Sequence, residues 1–250
     1  MEVHKHPHHV THKKKWSEYF LEFFMLFLAV FLGFLAENRR EHIVEREREV
    51  QYLKSLIVDL QNDTVNLHEG FPRKEGRIQA IDSVFLFFQI NPGAKQIPGF
   101  VLRNIRRTLW DRHHRRNSTT IDQLKNAGGL RLIQKRDVAD SIAAYDLKWQ
   151  RADFWREAYI RQQDEGKNLV HEIVASTQLL PKYREQIGLL QISAFVDTMT
   201  LPINTEYLNE YLNFISDQKI TTFQDKAEYV EIERAAERLI ALIKKEYDLG

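Results

Sequence analysis

The strongest feature of the hydrophobic pattern is an apolar run near the N-terminus, Tyr19–Ala36 (YFLEFFMLFLAVFLGFLA), in which Glu22 is the one charge. At ~1.5 Å per residue its eighteen residues of helix span about 27 Å, close to the ~30 Å of a bilayer core. From Trp16 to Glu69 there is one glycine, Gly33, and no proline, so a single helix is predicted to run right through. Beyond the apolar run, Glu37–Glu49 is nearly all charge and reads as a solvated helix. Then Val50, Ile57 and Thr64 take one heptad position and Leu53, Leu60 and Leu67 another, with Ile43 extending the first row backwards. About two and a half heptads fall short of the three or four that mark a coiled coil, so packing inside a domain and self-association both stay open. Gly70 and Pro72 are expected to end this helix.

Further elements follow at helical spacing. Residues 75–90 form an amphipathic helix with Ile78, Ile81, Phe85 and Phe88 on one face. Asn91–Gly99 is a turn-rich loop, Phe100–Arg112 a helix, and Asn117–Thr120 a polar loop that caps Ile121–Asn126 before Gly128 and Gly129 break the chain. A long helix is predicted from about Lys135 to Ala175, with Val138, Ile142, Tyr145, Trp149, Ala152 and Tyr159 as its buried stripe and Gly166 as a place to bend. Pro181 opens the next piece, residues 183–199 are helical by pattern, and Leu201-Pro202 interrupts. Two more helices are expected, Asn204–Ser216 and about Thr222–Tyr247. No alternating strand run is present. The pattern therefore predicts an all-α chain with six or seven helices around one core. It divides into a basic His-rich tail (1–15), a transmembrane helix (16–36), and a helical-bundle-like extramembrane domain (37–250).

The flanks of the apolar run fit a membrane anchor. Trp16 and Tyr19 stand where an interfacial aromatic belt would stand, Lys13–Lys15 precede the run, and Arg39 and Arg40 follow it. A cleaved signal peptide fits less well, because Phe34 occupies a place where cleavage needs a small residue. At 100° per residue Phe20, Phe24, Phe27, Phe31 and Phe34 form one stripe, and Glu22, Ala29, Gly33 and Ala36 lie opposite. The small stripe is expected to pack on another helix, and the partner would belong to another copy or to another membrane protein. Glu22 lies one turn into the run. Its side chain either snorkels or hydrogen-bonds to a neighbouring helix, or it carries protons in an ion-driven complex. Basic residues are balanced across the run. We expect the N-terminus in the cytoplasm and the bulk of the chain on the periplasmic side of a bacterial inner membrane.

Composition narrows the chemistry. The chain has 250 residues, no cysteine and a formal charge of +1. That excludes disulfide scaffolds, thiolate metal sites and cysteine nucleophiles, and gives no global field for nucleic acid. No phosphate loop, nucleophile elbow or His-Glu-x-x-His motif is present, so no catalytic activity and no cofactor are expected. The tail histidines His4, His6, His8, His9 and His12 suit either a transition metal or a basic tail on anionic headgroups. The sharpest charge cluster holds Arg103, Arg106, Arg107, Arg112, Arg115 and Arg116 with Trp110 among them. It reads as a rim bridged to acidic helices, as a contact for anionic headgroups or another polyanion, or, least fitting outside the cytoplasm, as a nucleic-acid site. Lipid and a protein partner are therefore expected, and nucleic acid is not. A ligand pocket walled by Tyr145, Trp149, Phe154 and Trp155 is the alternative to a purely structural role.

Two stretches carry a resemblance. LFLAVFLGFLAENRREHIVEREREVQYLKSLIVDLQND and IDQLKNAGGLRLIQKRDVADSIAAYD resemble an uncharacterised family of single-span membrane proteins abundant in Bacteroidetes. The likeness covers about residues 1–150. It rests on a span leading into an acidic helix with Tyr52, Leu53, Leu56, Asp59 and Leu60, and on a turn with Leu124, Gly128 and Gly129 before the next helix. The resemblance implies a membrane location and a helical fold, and no activity.

Overall fold

A computed structural model describes residues 15–109, 111, 113–126, 128–174 and 199–249. The His-rich tail, Trp110, Arg112 and most of the helix expected over 183–199 lie outside the described residues. Helix α1 spans Trp16–Ile90, α2 Gly99–Leu109, α3 Thr119–Asn126, α4 Arg136–Ile173 and α5 Leu208–Tyr247, with a 3-10 turn over Gly129–Leu132. Two three-residue strands, β1 (Gln96–Pro98) and β2 (Thr200–Pro202), complete the described elements. The chain is all-α, and a long apolar N-terminal helix leads into a helical domain.

Internal contacts divide the chain into two units, residues 1–51 and 52–250. The first holds the one described helical segment apolar enough to cross a membrane, with a mean hydropathy of 2.2 and none of that window buried. Between Trp16 and Leu35 fourteen large apolar side chains are exposed, among them Phe23 at 65% and Leu26 at 69%.

The second unit carries the core. Along α1 the buried positions Leu53, Leu56, Leu60, Leu67, Ile81 and Val84 keep a helical period. The Leu53, Leu60 and Leu67 row of the heptad is buried and belongs to this core, whereas Ile43 is 59% exposed. Helix α1 does not end at Gly70 and Pro72, as the sequence suggests. Pro72 sits on the solvent face, so the carbonyl one turn back that loses its N–H partner is open to solvent rather than sealed in the core. Gly70 is buried instead, and a Cβ there would come 1.9 Å from the His114 ring. The glycine permits close approach of the 111–118 segment and does not mark a stop.

Two other expectations change. The helices expected over 204–216 and 222–247 are one, α5. Its inward positions Gln218, Thr222 and Asp225 are polar and buried, so they break the apolar stripe without breaking the helix. Strands are present after all. β1 and β2 pair antiparallel with Ile97 opposite Leu201, both buried. Three residues are too few to show alternation, and the partners lie far apart in sequence. Gly166 leaves α4 continuous and lies under Phe214 of α5, whose ring is 2.4 Å from where a Cβ would stand.

Gly70→Leu is expected to displace His114 from Tyr229 and lower stability by about 1–3 kcal/mol, despite the better helix propensity of leucine. Thermal unfolding followed by circular dichroism checks this. An unchanged melting temperature would show that the close approach carries no constraint.

Candidate functional site

The most unusual chemistry lies inside the helical domain. Lys74 of α1 is 1% exposed by its side chain, and its ammonium bridges Asp225 of α5 and Asp111 of the segment after α2. The Asp111 contact is 3.1 Å, to Oδ2. Arg77, one turn on from Lys74, donates Nη1 to the same Asp111 oxygen at 3.0 Å. It also donates Nε and Nη2 to the Thr108 carbonyl at 3.2 and 2.9 Å, and Nη2 to Gln218 Oε1 at 2.7 Å. Gln218 Nε2 then donates to Gln162 of α4 at 3.0 Å. The Tyr229 ring lies 5.1 Å from the Lys74 ammonium, so its π face adds to the site that holds the cation.

Two cations and two carboxylates make this cluster neutral. Burial pushes the Asp111 carboxyl up, but Lys74 and Arg77 beside it more than offset this and hold it below the usual range. Burial keeps Asp225 raised, with Lys74 opposing. Burial also pushes His113 down to about 4 against the pull of Asp111, with Lys74 and Arg77 adding to the fall, so the imidazole is neutral at pH 7. The donor atoms of Asp111, His113 and Asp225 lie within 4.8 Å of one another, a spacing that suits a metal ion. Lys74 and Arg77 already neutralise both carboxylates, and a divalent cation would have to displace the ammonium. The arrangement therefore works as an internal ion network that ties α1, α4, α5 and the segment after α2 together.

A second buried cluster joins the two stretches that carry the family resemblance. Asp59 and Asp63 stand one turn apart on α1. Asp59 accepts from the Thr120 N–H at 3.1 Å, and Asp63 accepts from the Asn117 N–H at 2.7 Å and the Tyr145 hydroxyl at 2.8 Å. The two carboxylates thus take up backbone donors at and just before the start of α3, where a helix has unsatisfied N–H groups. Gly129 packs under Leu124, whose Cα would be 3.2 Å from an added Cβ, and Gly128 has φ +65, a left-handed conformation that glycine adopts without strain. The Asp59 position and the Leu124–Gly129 turn are thus packing devices. Asp63 was not singled out by the sequence, and only its i,i+4 spacing from Asp59 hints at it.

The arginines expected to form one patch are spread over two elements. Arg103 and Arg107 lie exposed on α2, with Arg106 half-buried beside them. Arg115 is exposed after α2, and Arg116 is turned inward onto Asp146, which Lys125 also binds at 2.9 Å. Arg112 lies outside the described residues. Arg115, Arg116 and Arg156 share a small cavity of about 320 Å³ with Ser118 and Asp153, and Asp153 pairs with Arg156. In the apolar segment Glu22, Ala29, Gly33 and Ala36 are all exposed, and a Cβ on Gly33 would meet nothing within 4 Å.

The aromatic pocket expected from Tyr145, Trp149, Phe154 and Trp155 does not form. Tyr145 and Trp149 are 2% and 1% exposed in the core, while Phe154 and Trp155 point outward at 69% and 47%. One helix cannot turn positions roughly 80° to 180° apart towards the same cavity. A groove of about 630 Å³ exists instead between α4 and α5, with Trp155 and Tyr159 on one wall and Thr221 and Glu228 on the other.

No protein-family model matches the chain, and neither a curated protein nor a solved structure matches it.

Removing one member of the neutral cluster strands a charge in the core. Lys74→Met is expected to lower stability by about 3–5 kcal/mol, and the Lys74→Met, Asp225→Leu pair by less than the sum of its singles. Denaturant unfolding of the four proteins checks this, and strict additivity would refute it. A pH prediction concerns Asp63, whose carboxyl burial pushes up to about 6. The folded group holds its proton more tightly than the unfolded one, whose pKa is ~3.9, so its contribution is largest below about pH 4 and is lost as pH rises through 6. Relative to Asp63→Asn, the wild type should lose roughly 2–3 kcal/mol between pH 4 and pH 7. A constant difference across that window would mean an ordinary carboxyl.

Proposed function

We propose that this chain is a single-pass membrane-anchored structural or interaction protein that acts through protein contacts and without catalysis. The observation that carries this reading is the exposed apolar surface of the first unit, where fourteen large apolar side chains between Trp16 and Leu35 have no core to enter. At about 1.5–3 kcal/mol each, leaving them in water would be unfavourable by on the order of 20 kcal/mol or more, and lipid removes that penalty. The reading puts the N-terminus in the cytoplasm and the helical domain on the periplasmic side of a bacterial inner membrane. Ala29, Gly33 and Ala36 would face a second helix, since nothing in their own unit fills the space beside Gly33. Anionic headgroups are proposed as the contact of the exposed arginines Arg103, Arg107 and Arg115. Membership of the single-span Bacteroidetes family is part of the proposal, supported by the Tyr145 hydroxyl donating to Asp63, which joins the two resembling stretches.

A second reading rests on Glu22 alone. An acid within an apolar span suits an ion-driven complex, and equal proton flux through liposomes carrying wild type or Glu22→Gln would remove it.

The anchor is tested by washing lysed cells at high salt and alkaline pH. The chain is expected to stay in the membrane pellet and to leave it only with detergent. An alkaline phosphatase fused to the C-terminus should be active. Recovery in the supernatant would end the anchor reading, and an inactive fusion would reverse the orientation.

A further inference from the structure

We infer that the outer face of α4 and α5 is where a second copy of this chain docks, about a two-fold axis running along the two helices. The inference rests on the anchored reading above, which confines copies to one surface in one orientation.

The first observation is apolar exposure. Buried Tyr145, Trp149 and Ala152 define the inward side of α4, and Leu147 and Phe154 fall on the opposite side, 65% and 69% exposed. Trp155 is 47% exposed at the edge of the groove. On α5 the inward side is set by Gln218, Thr222, Asp225 and Tyr229, and Ile220 lies opposite at 57% exposed. Phe223, at 52%, adjoins it. Five large apolar side chains thus stand on the solvent side of two adjacent helices, with aromatic groups of the kind that anchor interfaces.

The second observation is the order of charge along the groove. The α4 edge supplies Lys148 and Arg151, and the α5 edge supplies Glu228 and Glu231. The helices run antiparallel, since Gln162 meets Gln218 and, eleven residues back along α4, Arg151 meets Glu228, ten residues forward along α5. One further turn in the same sense brings Lys148 level with Glu231. A two-fold axis along the helices preserves these levels. It sets Lys148 of one copy against the partner's Glu231, and the same contact repeats in reverse. Arg151 and Glu228 already pair with each other across the groove at 2.6 Å, so Lys148 on one edge and Glu231 on the other are the charges a partner meets. A partner of uniform charge would meet like charge at one of them, whereas a second copy meets opposite charge at both. Among the described residues Glu231 pairs with Arg234 in an exposed i,i+3 contact, which competes weakly. Tethering in one plane raises the effective concentration, so a modest interface is enough.

The test uses the full chain in mild detergent. Wild type is expected to be a dimer by light scattering. Lys148→Glu and Glu231→Lys should each weaken self-association by about tenfold or more, because like charges then face each other twice. The two variants, differently tagged and mixed, should recover as a heterodimer of wild-type strength, since both contacts are then of opposite sign. Circular dichroism confirms that each variant folds. A second readout needs no extraction. The chain has no cysteine, so Lys148→Cys in one tagged copy and Glu231→Cys in another should give a crosslinked pair carrying both tags when a short bis-maleimide is added to membranes. A wild-type monomer, a dimer that both charge reversals leave unchanged, or a monomer held by a different protein on this face would each overturn the inference. Failure of the anchor itself would appear separately, as protein in the soluble fraction.

Discussion

The helical domain depends on a buried set of charges that sums to zero. Lys74 and Arg77 enter from α1, Asp225 from α5 and Asp111 from the segment after α2, and each cation reaches at least one carboxylate. A dry interior makes any member alone prohibitive, so the four must be buried together. This links the register of α1 against α5 to the path of the chain after α2. A slip of one helical turn would strand an ammonium among Leu, Ile and Tyr side chains. Apolar packing supplies the bulk of the driving force, and the ion network selects one arrangement of the helices.

The helices were largely legible because most carry an apolar stripe with the right period. Leu53, Leu60 and Leu67 on α1, and Val138, Ile142, Tyr145 and Trp149 on α4, are buried as the spacing implies. The misreadings fall where function of another kind occupies the stripe. Gln218, Thr222 and Asp225 look like a gap in an amphipathic helix, and they are its most strongly bonded inward positions. Gly70 and Pro72 look like a stop, because sequence alone cannot tell a solvent-facing proline from a buried one or a close approach from a turn. The ion network itself was invisible. Its members come from residues 74 to 225, and no local spacing marks which of many charged residues will lose contact with water.

The arginine cluster illustrates the converse. Six arginines between 103 and 116 suggest one patch by proximity in sequence. The end of α2 divides them, leaving Arg103 and Arg107 on a helix face and turning Arg116 onto Asp146. Local density of charge measures what can be gathered, and backbone geometry decides what is. The apolar run near the N-terminus is different, because the length and apolar composition that make it long enough to cross a membrane are read directly from the sequence. Its exposed phenylalanines are the physical ground on which the proposed membrane anchor rests.

The small ladder of β1 and β2 has a kinetic meaning. Ile97 and Leu201 are paired across about a hundred residues of intervening chain. Closing a ring of that size from the unfolded ensemble is opposed by roughly 4 kcal/mol of chain entropy, more than a three-residue ladder returns. The ladder therefore zips only after α2, α4 and α5 have drawn its ends together. By the same reasoning it is among the first parts to open, and its amides should exchange with deuterium well before those of the helices that hold it.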